Sequence, residues 1–204
     1  MIRRNRRRRR AARLIVALLT LAALAIGWGR YHSWLSDLVS AWLCAKPPGI
    51  IVHHSATPPR VNGRAIDAAA LDRIHATRGF VTFYRGRVYH IGYHFVILQD
   101  GTVQRGRPIG CRGAHTHGRA IYNRRVGICL VGNFSSKDNP NGAQGPVRPT
   151  RAQMKALVRL CRSLMREYEI PVDNVRRHRD FNQTECPGDR FPYSRLVAEL
   201  SSGE

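Results

Sequence analysis

The chain has 204 residues, enough for one ordinary domain with length to spare, and its 34 basic against 13 acidic residues give a formal net charge of +21. A surface of that sign attracts polyanions, among them nucleic acid, anionic lipid headgroups and anionic wall polymers. No RNP-type segment, no paired-Cys and paired-His finger and no basic helix running into heptads is present, so nucleic acid is not expected as a partner. The five cysteines, Cys44, Cys111, Cys129, Cys161 and Cys186, are odd in number and irregularly spaced, which excludes a disulfide framework. Cys129 and Cys161 sit in apolar patterns and read as buried thiols. Cys44 and Cys111 are the one pair that an oxidising compartment could join.

Arg3, Arg4, Arg6 through Arg10 and Arg13 make residues 1–13 a dense cationic block. Residues 14–30 follow with no charge from Leu14 to Gly29, which reads as a membrane segment because charges cost several kcal/mol at the bilayer centre. Positive charge stays on the cytoplasmic side, so everything after this segment is expected outside the cytoplasm, periplasmic or on the cell-wall side. Two forms are open. Trp28, Tyr31 and Trp34 resemble the interfacial belt of a retained signal anchor, while Ala23-Leu24-Ala25 has the small residues of a signal-peptide cleavage site, which would give a secreted form. Residues 31–48 follow, where Trp34, Leu35, Leu38, Val39 and Trp42 recur at helical spacing before Lys46-Pro47-Pro48-Gly49 ends the helix as a linker.

A folded domain is expected over 49–204. Ile50 to Ser55 is an apolar, β-branched run and predicts a buried strand. Asp67 to Ala76 is helical in composition. Tyr93 to Gln99 predicts a strand that turns at Asp100-Gly101 into a second one, Thr102 to Arg105. Val126 to Val131 is a further buried strand, and Ser135 to Pro149 is a surface loop rich in Ser, Asn, Gly and Pro. Thr150 and Gln153 form a capping box for a helix that carries Met154, Leu157, Val158, Cys161, Leu164 and Met165 on one face and stops before Pro171. A last helix lies around Tyr193 to Leu200. Strands interleaved with helices, one hairpin among them, predict an α/β domain with a mixed central β-sheet flanked by helices.

Three groups of residues carry candidate chemistry: His53-His54 at the end of the first strand, Tyr93-His94, and His178 with Cys186 eight residues later in RHRDFNQTECPG. Imidazole nitrogen and thiolate sulfur are zinc donors, and a catalytic zinc site uses three protein ligands plus an open position. Two His and one Cys would make such a set. Alternation along the strand does not choose between His53 and His54, because both faces read as buried.

Five segments appear in a recognisable order: IVHHSAT at 51–57, IGYHFVI at 91–97, GAH at 113–115, VGICLVG at 126–132 and the run from His178 to Gly188. Together they resemble the type-two N-acetylmuramoyl-L-alanine amidases, which include phage lysozyme-type amidases and animal peptidoglycan recognition proteins. The resemblance covers roughly Gly49 to the end. It implies a mixed sheet flanked by helices and zinc-dependent cleavage of the bond between N-acetylmuramic acid and L-alanine in peptidoglycan. By position it implies His53, His178 and Cys186 as the zinc ligands, Tyr93 as the catalytic tyrosine, and Thr184 as a second catalytic group where phage relatives carry Lys. His115 matches a position that lines the substrate groove, and His94, beside Tyr93, is a second candidate for substrate contact, with packing as its alternative. No Asp or Glu occupies an evident position for a general base; Glu185 is expected to point away and Asp180 to serve as a loop hydrogen-bonder. The competing reading is a peptidoglycan-binding module without activity. A bacterial wall-remodelling role and a phage lysis role are both consistent with the sequence, and a monomer is expected.

Overall fold

The computed structural model describes residues 46–118 and 120–202. The Arg-rich block, the membrane segment, most of the amphipathic helix and Cys44 lie outside the described residues. Among the described residues no helix is long and apolar enough to cross a membrane.

Among the described residues, nine strands and three α-helices follow in order. β1 (Ile50–His54) is succeeded by the short pair β2 (Arg60–Val61) and β3 (Arg64–Ala65), then helix α1 (Ala68–Thr77). A second short pair follows, β4 (Thr82–Tyr84) and β5 (Arg87–Tyr89), then β6 (Phe95–Ile97), β7 (Val103–Arg105) and β8 (Val126–Leu130). Helix α2 (Arg151–Tyr168), strand β9 (Val175–Arg177) and helix α3 (Tyr193–Ser201) complete the chain. The central sheet has five strands in the order β7-β6-β8-β1-β9. β1 runs parallel to β8 and β9, β8 runs parallel to β6, and only β7 is antiparallel, paired to β6 across the Asp100-Gly101 turn. The expected mixed sheet is therefore present.

The two central strands are buried at every position, as β-branched runs in parallel sheets are when helices cover both faces. On one face Ile50, Val52, Val126, Ile128 and Leu130 pack against Leu157, Cys161 and Leu164 of α2 and Leu196 and Leu200 of α3. Leu157 is fully buried there, and truncating it to Ala would cost about 2–5 kcal/mol. On the other face Val96, Cys129 and Val131 meet Ala70 and Leu71 of α1. Asp67 caps α1 by accepting a hydrogen bond from the Ala70 N–H at 2.7 Å. The capping box of Thr150 and Gln153 starts α2. Gln153 does more than cap: its buried Nε2 donates to the carbonyls of Ile97 and Val131, at 3.1 and 2.9 Å, and pins the helix start to the ends of β6 and β8.

Two hairpins were not anticipated. β2–β3 turns through Asn62-Gly63 and β4–β5 through Arg85-Gly86, with all four residues at positive φ. That is the backbone of a type I′ turn, whose twist suits a tight hairpin.

Candidate metal centre

The site forms where the parallel strands end, on the α1 face. Alternation along β1 sends Ile50, Val52 and His54 toward α2 and α3, and it sends His53 the other way, beside its register partner Cys129. The structure thus separates the two histidines between which strand alternation alone did not choose. His54 instead accepts a hydrogen bond from the Phe134 N–H through Nδ1, at 3.1 Å. β9 pairs with β1 through Val52 and Arg177, so His178, the next residue of β9's chain, comes up beside His53. Their ring centroids are 4.5 Å apart. The loop after His178 is closed by the Arg179 N–H donating to the Cys186 carbonyl at 3.0 Å, which brings the Cys186 Sγ to 3.6 Å from His53 Nδ1. One donor atom from each of His53, His178 and Cys186 lies within 4.8 Å of the others.

Each imidazole is oriented by an outer partner. His53 Nε2 is 3.0 Å from His115 Nδ1, and His115 Nε2 is 3.2 Å from the Arg125 carbonyl. A carbonyl only accepts, so His115 carries its proton on Nε2, its Nδ1 accepts, and His53 donates from Nε2. That leaves the lone pair of His53 on Nδ1, facing the thiol. His178 Nε2 is 3.0 Å from Asn182 Oδ1, which likewise leaves Nδ1 as the free nitrogen. Burial lowers the pKa of His53 and of His115 well below the usual imidazole value, and the neighbouring imidazoles lower them further. Burial also lowers His178, against the opposing effect of Asn182. Neutral imidazole is the form that binds a metal. Burial pushes the Cys186 thiol up to about 12, while the His54 N–H, 3.4 Å from Sγ, pulls the other way. A buried thiol gives up its proton when a cation takes its place. Two neutral imidazoles with preset tautomers and one thiol form a borderline-soft, three-donor set, which fits zinc with an open position.

A cleft of about 530 Å³ opens over this cluster and is lined by His75, Tyr93, His115, His117, Asn123 and His178, among others. The Tyr93 ring is 5.2 Å from that of His53. Burial, then the nearby thiols, raises its pKa well above the usual phenol value, so it stays a proton donor at neutral pH. Thr184 is not among the cleft-lining residues; its Oγ1 accepts from the Cys186 N–H at 3.2 Å and shapes the ligand loop. His94 departs from the expectation of substrate contact. It is 4 % exposed, its Nδ1 accepts from the Gly127 N–H at 3.0 Å, and its Nε2 faces the Cys111 carbonyl at 2.9 Å. Both ring nitrogens are engaged with backbone, and the ring does not line the cleft.

The sequence profile of the family described as N-acetylmuramoyl-L-alanine amidase matches residues 44–189. The chain belongs to this family. As an N-acetylmuramoyl-L-alanine amidase it acts on peptidoglycan. The amidase is similar to the endolysin of Enterobacteria phage T3, at 33% identity over 144 residues, covering 70% of this chain and 82% of the phage protein. The endolysin of Escherichia phage T7 is 33% identical over 139 residues, covering 68% and 78%. Among solved structures, the N-acetylmuramoyl-L-alanine amidase LysC from Clostridium intestinale URNW matches with a TM-score of 0.58 and 36% identity, covering 76% of this chain and 86% of that one.

The carboxylates near the amidase's cluster are engaged elsewhere. Asp180 accepts from the Arg177 backbone N–H at 2.8 Å and its guanidinium at 2.9 Å. Glu185 pairs with the Arg179 guanidinium at 2.9 Å. Sequence reasoning missed Asn182 and the contact between His115 and His53. It also missed the two glycines against which the His115 ring is packed. A Cβ on Gly113 would lie 2.5 Å from His115 Cδ2, and one on Gly127 would lie 2.4 Å from the same atom. Gly113 and Gly127 were quoted in the motifs, but nothing in their spacing says which ring they make room for.

Proposed function

We propose that the amidase is a zinc hydrolase that cleaves the amide joining the lactyl group of N-acetylmuramic acid to L-alanine, with His53, His178 and Cys186 as the ligands. The convergence of three donor atoms within 4.8 Å, with His178 lining the cleft, carries this reading. When bound, zinc supplies Lewis acidity toward a carbonyl and acidifies water. The chain supplies the rest. His115 and Asn182 hold the two imidazoles in the tautomer that presents Nδ1. Tyr93, protonated and at the cleft wall, donates a hydrogen bond to the oxygen that becomes negative as the amide is attacked. Thr184 acts through the Cys186 loop, and its hydroxyl hydrogen is the weaker candidate for a second donor. His115 contributes a ring edge to the wall that the substrate meets. No Asp or Glu of the described residues lines the cleft.

The proposal extends to location. The catalytic domain works as a monomer outside the cytoplasm, tethered by the N-terminal segment or released after its cleavage, and the support is the Arg block followed by a charge-free run. Mass spectrometry of wall digested with zinc-loaded protein tests the activity. Lactyl-terminated glycan and peptides with a free L-alanine amino group are expected. Their absence, with zinc shown to be bound, overturns the reading.

A further inference from the structure

A groove of about 740 Å³, larger than the cleft, lies between α2 and α3, the helices that cover the sheet face opposite the metal cluster. Six cations line it: Arg148, Arg151, Lys155, Arg159, Arg162 and Arg195. The only acid lining it is Glu199, already paired with the Arg195 guanidinium at 2.7 Å, while its backbone carbonyl accepts from Arg162 at 2.6 Å. Among the described residues no carboxylate lies within 4 Å of Arg148, Arg151, Lys155 or Arg159. Arginines near the metal cluster differ: Arg176, Arg177 and Arg179 each pair with Asp180 or Glu185. The groove cations are also ordered in space. Residues 151, 155, 159 and 162, continued by Arg166, fall within about 80° of the α2 circumference and extend for about 22 Å along its axis.

We infer that this groove binds a linear phosphodiester polymer, an anionic wall polymer built of phosphate-linked polyols. A line of unpaired cations matches a chain with a charge at each repeat, and the recessed Met154 and Val158 offer contact for the carbon atoms between phosphates. Among the described residues no aromatic side chain lines the groove, so they offer no platform on which the bases of a single-stranded nucleic acid could stack. Met154 and Val158 are buried at its floor rather than projecting, so they do not insert into a bilayer as the apolar face of an interfacial helix does. Because the groove and the metal cluster lie on opposite sheet faces, a bound polymer leaves the cleft open and holds the amidase on the wall while it cuts.

The test is binding of the full-length protein to poly(glycerol phosphate) over a range of salt, with phosphatidylglycerol vesicles and oligo(dT) as comparators. Wild type is expected to bind the polymer with a log–log salt slope of about −2 to −3, for three to four phosphates neutralised. The variant with Arg151→Gln, Lys155→Gln and Arg159→Gln is expected to lose at least tenfold in affinity and most of that slope. Its melting temperature and its hydrolysis of a soluble muropeptide should stay at wild type, which separates failure here from failure of the amidase reading. A control with Arg64→Gln, Arg73→Gln and Arg87→Gln removes the same charge from other surfaces and should bind within twofold of wild type. Equal weakening by both triple variants makes the effect one of net charge and overturns the proposal. So does groove-dependent binding that is as tight for vesicles or oligo(dT) as for the polymer.

Discussion

Replacing Gly127 by Ala places a methyl group against one imidazole. All three atoms nearest to that Cβ belong to His115, at 2.4, 2.7 and 2.7 Å. Carbon atoms pack best at about 3.5–4.0 Å, so the ring has to retreat by at least about 1 Å. It has little room, because Gly113 backs the same ring. Retreat breaks the contacts to His53 and to the Arg125 carbonyl, at 3.0 and 3.2 Å. Two lost hydrogen bonds and overpacking together amount to about 2–4 kcal/mol. In a domain of this size that lowers Tm by roughly 5–15 °C. His53 also loses the group that fixes its tautomer, which costs about 10–100-fold in zinc affinity. Thermal unfolding reads the first effect, and competition with a fluorescent chelator reads the second. The cycle with His115→Ala isolates the cause: without the ring, the added methyl should cost no more than about 0.5 kcal/mol, so the coupling exceeds about 1 kcal/mol. A Gly127→Ala protein with wild-type Tm and zinc affinity, or additive effects in the cycle, refutes the reasoning.

Other outcomes follow from the same geometry. Cys186→Ser replaces the thiol by a poor zinc donor; zinc retained after dialysis, measured by atomic emission, should fall well below one per chain. Chelation of the wild type should abolish hydrolysis, and added zinc should restore it. Tyr93→Phe removes one hydrogen-bond donor and should lower kcat on a soluble muropeptide by roughly 10²–10³-fold at unchanged zinc content. Acid stability reports on His94, whose pKa burial lowers from 6.5 to about 4. The folded state binds the proton less readily than the unfolded chain, so this contribution is full above pH 6.5 and is lost as pH falls toward 4, by about 3 kcal/mol in all. Protonation would set an Nδ1–H against the Gly127 N–H, which is the structural form of that loss. His94→Gln keeps an acceptor and a donor there, so its denaturant midpoint should vary less with pH over that window.

Legibility in the sequence followed how local each signal was. Asp67 and the pair Thr150 and Gln153 act on their own helices, and both helices start where those residues say. Asp100-Gly101 turns the one hairpin that was expected. The two missed hairpins have strands of only two or three residues, with Phe83 and Val88 exposed, so no alternation of apolar and polar positions marks them. β9 is Val-Arg-Arg and has no strand signature of its own; pairing with β1 makes it one. The site divides in the same way. Residue types put the His53-His54 pair, His178 and Cys186 forward and the family resemblance chose His53 over His54, but the physical reason for that choice is the β1–β8 register. His94 was read as either a substrate contact or a packing residue, and its place next to Tyr93 in the sequence does not choose between them. Only the Gly127 N–H and the Cys111 carbonyl show that its ring serves the backbone.

The ligand set has a consequence in time. The proposed ligands His53 and Cys186 are separated by 133 positions. Four of the five strands of the central sheet are complete before α2 is made, yet a nascent or truncated chain that stops short of Cys186 has only part of the donor set. Zinc held by His53, His178 and Cys186 would staple β1 to the loop after β9, so that its binding free energy would become folding free energy of the domain.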